Sequence, residues 1–226
     1  MDRGCGGKVA RQPFELLIFD CDGVLVDSEL ITNRVFVGML NELGLALTLE
    51  DMFERFVGRS MPQCLSMIKE LLGHDVPEEF QAEFRVRIAA ALKSELKAVA
   101  GIESVLDSVK LPYCVASSGT HDKMQLTLGL TGLLPKFQGK MFSVTEVARP
   151  KPFPDVFLHA AKQSGVAAPA CAVIEDTPTG VKAGVAAGMT VFGFCAHTPR
   201  HRLLEAGAHH TFDRMRDLAR LLDSNP

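Results

Sequence analysis

The chain has 226 residues, 47% hydrophobic and 23% charged, with a formal net charge of -3 at neutral pH. That length and balance fit a soluble globular protein of one large domain, or of one domain with an insert, able to bury a core without covalent staples. They offer no general attraction to nucleic acid or to an anionic membrane surface, and no apolar run is long enough to span a bilayer.

Residues 1–12 are glycine-rich but follow no strand and lack the spacing of a phosphate loop, so they read as a flexible leader. The first apolar run, Leu16–Phe19, reads as a short buried strand that ends in Asp20-Cys21-Asp22-Gly23. Between it and the next strand the pattern turns helical, with stripes at Ile31/Val35/Met39/Leu43, Met61/Leu65/Ile68/Leu72 and Phe80/Phe84/Ile88/Leu92, broken by Gly44, Gly58 and Gly73. A structureless loop of that length is improbable in a compact domain, so residues 29–98 are expected to form a small helical insert. Beyond it, strands are expected at Tyr113–Ala116, Lys140–Ser143, Cys171–Ile174, Thr190–Phe194 and His210–Phe212, with helical patterns between them. Nearly continuous apolar strands alternating with helices predict an α/β fold, a doubly wound parallel sheet built from residues 13–28 and 99–226.

Parallel strands point their carboxyl ends to one edge, where ligands bind. Asp20 and Asp22 follow the first strand, Ser117-Ser118-Gly119 the second, the loop containing Lys151 the third, and Glu175-Asp176 the fourth. Taken singly, these are ordinary turn and cap residues. Together they describe one chemistry. Four carboxylates supply hard oxygen ligands suited to Mg²⁺. Ser117 and the backbone N–H groups after it, expected at a helix start, can hold anionic oxygens. Lys151 adds a compact positive charge worth roughly 4 kcal/mol toward a phosphate at about 4 Å and an effective dielectric near 20. The set is that of phosphoryl transfer, with one carboxylate attacking phosphorus and another moving the proton.

The cysteines, at positions 5, 21, 64, 114, 171 and 195, form no C-x-x-C pair, which predicts free thiols, no zinc site and a reducing, cytoplasmic compartment. His201, His209 and His210 lack ligand spacing and are expected at the surface.

The segment Asp20-Cys21-Asp22-Gly23-Val24-Leu25-Val26-Asp27-Ser28 resembles the first motif of the haloacid dehalogenase superfamily of hydrolases, with Ser117, Lys151 and Glu175-Asp176 at the places of the second, third and fourth. The likeness runs from about Phe14 to the end and is to the sugar-phosphate branch. It implies a Rossmann-like core with residues 29–98 as a helical cap. It also implies Asp20 as nucleophile, Asp22 as general acid and base, and Ser117, Ser118, Gly119 and Lys151 as the phosphate site. Mg²⁺ would be held by Asp20, the backbone carbonyl of Asp22 and Asp176, with Glu175 a direct ligand or joined through water. Gly58-Arg59-Ser60 resembles the cap segment that faces the active site in this branch, where Arg59 either meets a substrate carboxylate or second phosphate or is a solvated arginine at a helix start.

A carboxylate at Asp22 separates this chain from the dehalogenases themselves. Thr32 stands where β-phosphoglucomutases carry a histidine, which favours a phosphatase over that isomerase. The sequence is similar to phosphatases of small phosphorylated sugars and sugar acids, 6-phosphogluconate phosphatases among them. The expected partner is therefore a small phosphorylated metabolite, with neither nucleic acid nor membrane, and the expected state a monomer. A catalytically idle regulatory module on the same fold is the remaining alternative, against which the presence of both Asp20 and Asp22 counts.

Overall fold

The computed structural model describes residues 14–56 and 61–224; the expected leader and Arg59 lie outside them. Among the described residues there are six strands: β1 (Leu16–Phe19), β2 (Tyr113–Ser117), β3 (Met141–Ser143), β4 (Cys171–Glu175), β5 (Thr190–Phe194) and β6 (His210–Phe212). They form one sheet in the order β3-β2-β1-β4-β5-β6, every pair parallel. Each strand expected from the sequence is present. The order reverses direction at β1, so a crevice opens between the carboxyl ends of β1 and its neighbours.

Alternation along the strands sends side chains to two separate cores. Leu17 and Phe19 of β1 enter one and Leu16 and Ile18 the other, all four buried. Four helices line the first core, α5 (Ile102–Ser108), α6 (His121–Leu130), α7 (Leu134–Phe137) and α11 (Leu218–Ser224), and three line the second, α8 (Asp155–Gln163), α9 (Pro178–Ala186) and α10 (Arg200–Glu205). Both faces of the sheet are covered, which is why its strands read as apolar runs with little alternation.

The interval after β1 folds into α1 (Glu29–Glu42), α2 (Leu49–Arg55), α3 (Met61–Leu72) and α4 (Phe80–Glu95). These share a third core of their own, centred on Phe36, whose ring lies 4.8 Å from Phe84, 5.9 Å from Phe80 and 6.2 Å from Phe56. Helix α2 shows no apolar stripe long enough to read, yet it carries a capping box. The Thr48 hydroxyl accepts from the Asp51 N–H at 3.1 Å, and the Asp51 carboxylate accepts from the Thr48 N–H at 2.8 Å. Two strands of chain join this segment to the sheet and pair with each other, Asp27 N–H to Lys97 O at 2.9 Å and Val99 N–H to Leu25 O at 3.0 Å.

Two smaller expectations are corrected. The α6 helix does not begin at Ser117-Ser118-Gly119. Ser117 still belongs to β2, paired with Ser143, and the cap is Thr120, whose side chain accepts from the Lys123 N–H. His210 is half-buried in β6 with its ring stacked on Phe192, because an edge strand still covers one face. Among the described residues no helix is long and apolar enough to cross a membrane, and Cys21, Cys64, Cys114, Cys171 and Cys195 are free thiols.

Candidate active site

The carboxyl ends of β1, β2 and β4 bring the sequence-predicted residues together around a cavity of about 600 Å³, lined by Asp20, Asp22, Ser117, Ser118, Lys151 and Glu175 from the sheet side. Glu29 of α1 and Gln63 of α3 close it from the helical side. A second cavity of about 460 Å³ lies beside the paired connecting strands and holds none of the polar groups that converge here.

Asp20 is fixed by its own backbone, whose N–H continues the ladder to Ile174 O at 2.9 Å. Lys151, reaching over from the loop after β3, places Nζ 2.5 Å from Asp20 Oδ1, 2.9 Å from Glu175 Oε1 and 3.2 Å from the Ala116 carbonyl. All three charged side chains are almost fully buried. Burial pushes the Asp20 carboxyl up to about 7, with Glu175 and Asp22 adding to the effect and Lys151 opposing it. Burial works against the Lys151 charge as well, but Asp20 and Glu175 outweigh it and hold the ammonium above its ordinary range. The two shifts agree: one lysine serves two carboxylates, so the lysine stays charged and one carboxylate is left short of a counter-ion.

Glu175 has no free oxygen. Its Oε2 accepts from the Thr177 N–H at 2.8 Å and from the Thr177 hydroxyl at 2.9 Å, while Oε1 takes Lys151. A Cβ on Gly180 would fall 1.6 Å from Oε1, so α9 can lie against this carboxylate only because residue 180 has no side chain. Asp176 is the opposite case. It is fully buried and neither of its carboxylate oxygens has a hydrogen-bond partner. Burial, then the nearby charges of Glu29, Glu175 and Asp20, raises its pKa well above the ordinary value.

An orphaned buried carboxylate is costly unless something positive reaches it. Five carboxylates (Asp20, Asp22, Glu29, Glu175 and Asp176) gather here with two ammonium groups, Lys123 and Lys151. The deficit of positive charge and the all-oxygen donor set fit a hard divalent cation. Among the described residues no three His, Cys, Asp or Glu side chains form a ready metal cluster. The third donor implied by the family resemblance is a backbone carbonyl, which lies outside such a count. Gly23 is part of the same fit, since a Cβ there would stand 2.0 Å from Asp176 Oδ2.

Asp22 stands apart from Lys151. Its Oδ1 accepts from the Ser28 hydroxyl at 2.5 Å and its Oδ2 from Lys123 Nζ at 2.7 Å. Burial by itself would raise its pKa; the charge and hydrogen bond of Lys123, then Ser28 and Lys151, outweigh burial and hold it below the ordinary value. Lys123 escapes a search for strand-end residues because it lies inside α6. A sequence signal exists all the same: a lysine in the first turn of a helix opposes the helix dipole, which favours acids there. At the phosphate end, the Ser117 hydroxyl is buried and accepts from the Gly119 N–H at 2.9 Å, so that one backbone donor expected to face a ligand is already engaged.

The haloacid dehalogenase-like hydrolase family model matches residues 17–194, a stretch that contains every one of these groups. The chain belongs to that family. Its relatives include the 6-phosphogluconate phosphatase of Escherichia coli (strain K12), 38% identical over 185 residues, or 80% of this chain and 83% of that one. A conserved haloacid dehalogenase-like protein of unknown function from Agrobacterium tumefaciens superimposes with a TM-score of 0.88 at 33% identity, covering 93% of this chain and 98% of the other. A family hydrolase from Deinococcus radiodurans, solved with bound phosphate and sodium, gives a TM-score of 0.82 at 29% identity over 94% of this chain and 96% of its own.

Proposed function

We propose that this chain is a Mg²⁺-dependent phosphomonoesterase acting on a small phosphorylated sugar or sugar acid, with 6-phosphogluconate the first compound to test. The observation that carries the reading is the buried triad of Asp20, Lys151 and Glu175 beside an Asp176 whose two oxygens have no partner. Asp20 attacks phosphorus, the bond to the leaving oxygen breaks, and Asp22 supplies that oxygen with a proton. In the second half Asp22 takes a proton from water, the water oxygen attacks phosphorus, and the bond to Asp20 breaks to release phosphate. Lys151, the Ser117 hydroxyl and the Ser118 backbone N–H bind the transferring group. Asp20, the Asp22 carbonyl and Asp176 would hold Mg²⁺, with Glu175, both of whose oxygens are engaged, joined through water. The ion's contribution is to neutralise charge on the phosphoryl oxygens and on Asp20. Helices α1–α4 act as the cap, which closes on the substrate and excludes bulk water. The free thiols support a cytoplasmic setting.

A panel of phosphorylated metabolites assayed with Mg²⁺ tests this. Phosphate release from sugar or sugar-acid phosphates, abolished in Asp20→Asn, is the expected result; no release across the panel, or full activity in Asp20→Asn, overturns it. One well containing β-glucose 1-phosphate primed with the bisphosphate tests the mutase alternative, since net conversion to the 6-phosphate would show transfer back to sugar in place of water.

A further inference from the structure

Each of the two aspartates on the loop after β1 has its own lysine. Lys151 reaches Asp20 from the loop after β3, and Lys123 reaches Asp22 from the first turn of α6. The second pairing joins residues 101 positions apart, and a particular local shape makes it possible. A Cβ on Gly119 would lie 3.2 Å from Lys123 Cδ and 3.3 Å from Ser117 Oγ. The lysine stem therefore runs directly over the Ser117–Gly119 turn, close enough that a Cβ at residue 119 would press on it and make it give by a few tenths of an ångström. The Thr120 cap accepts from the Lys123 N–H and sets the start of the helix that carries it. From the other side the Ser28 hydroxyl donates to Asp22 Oδ1, so the carboxylate is gripped at both oxygens by groups that are themselves held. A carboxylate offers about four acceptor positions. Two are occupied here, and Asp22 is also among the residues that line the cavity.

We infer that Lys123 is a positioning residue for Asp22 in the water-consuming half of the reaction, where with Ser28 it fixes the carboxylate that takes the proton from the attacking water. This rests on the phosphatase reading above. In that step one O–H bond of water breaks and its proton passes to Asp22. The oxygen forms a bond to phosphorus, and the phosphorus–oxygen bond to Asp20 breaks, which regenerates the Asp20 carboxylate and releases hydrogen phosphate. The first half of the reaction asks something different of Asp22, a proton for the leaving oxygen, and a substrate with a good leaving group scarcely needs it. Removing Lys123 should therefore slow the second half selectively when the leaving group is good.

The test is rapid-quench kinetics on p-nitrophenyl phosphate with the full chain and Mg²⁺, comparing wild type, Lys123→Met, Lys123→Arg and Gly119→Ala. For Lys123→Met the expected result is a stoichiometric nitrophenolate burst followed by turnover slowed roughly 10²-fold, the lower end of what general acid–base catalysis contributes. KM should not rise, and intact-mass measurement should find phosphoenzyme accumulating. Lys123→Arg should restore most of the turnover, and Gly119→Ala should show a milder form of the same burst. Equal slowing of both halves, a rise in KM alone, or no change in Lys123→Met overturns the inference. So does a loss in Lys123→Met that Lys123→Arg fails to restore while both melt at the wild-type temperature. Failure of the underlying reading looks different: the wild-type chain itself would release no phosphate from any substrate.

Discussion

Substituting alanine for Gly23 tests the geometry of the metal side of the site, because the cost divides into two parts. Gly23 has φ of +80°, a left-handed conformation that costs an L-residue about 1–2 kcal/mol. A Cβ there would also stand 2.0 Å from Asp176 Oδ2 and 2.7 Å from its Cγ, inside any permitted contact, so that carboxylate must move. Overpacking of this kind adds about 1–3 kcal/mol. Gly73 provides the control, with φ of +78° and nothing within 4 Å of its would-be Cβ. Gly73→Ala should lose the backbone part alone, about 1–2 kcal/mol, and Gly23→Ala about 2–5 kcal/mol. Urea unfolding of both variants, with and without Mg²⁺, measures the difference directly. Gly23→Ala should also lose the stabilisation that Mg²⁺ gives the wild type, since the displaced Asp176 no longer presents its oxygens, and its turnover should fall with it. Equal destabilisation of the two variants, with the Mg²⁺ response intact in Gly23→Ala, would refute the close approach of Gly23 to Asp176.

Three further outcomes follow from the same contacts. Lys151→Met leaves Asp20 and Glu175 buried without their cation; unfolding at about pH 8 should show a loss of about 3–5 kcal/mol, shrinking toward pH 5 as the Asp20 carboxyl takes up a proton. In the metal-free protein burial raises the Asp20 carboxyl from its ordinary 3.8 to about 7, so the fold binds a proton that the unfolded chain releases. That contribution to stability is fully present below about 4 and lost as the pH rises through about 7. Mg²⁺ must displace the same proton, so its calorimetric affinity should climb by up to about tenfold per pH unit toward pH 7, and a flat profile would contradict this. Phe36→Ala removes the ring that meets Phe56, Phe80 and Phe84; it should cost about 3–5 kcal/mol by chemical denaturation, and a loss below about 1 kcal/mol would place the centre of that core elsewhere.

The inner strands β1, β2, β4 and β5 were legible because each is buried on both faces and reads as a short apolar run, the edge strands β3 and β6 are only partly buried and leave a weaker pattern, and the reversal of order at β1 follows from the way such sheets wind. Three of the helices in the interval after β1 were legible from their stripes. Helix α2 was not, because at seven residues its only clear signal is the Thr48–Asp51 cap. Asp20, Asp22, Ser117, Lys151, Glu175 and Asp176 could be named from the sequence, because chain order along a parallel sheet places their loops on one edge.

Sequence alone thus determined the family, the sheet, the strand-end lysine and the four strand-end acids that meet, though not Glu29 of α1, since these depend on local pattern and on a topology with few alternatives. Tertiary structure decided how the charges divide. Only packing shows that Glu175 is saturated by Lys151 and Thr177 while Asp176 is left bare. Only packing brings a lysine from inside α6 across a glycine to Asp22. The physical reason is distance: local pattern reports which face a residue prefers, but pairing between residues far apart in the chain is fixed by where the elements come to rest.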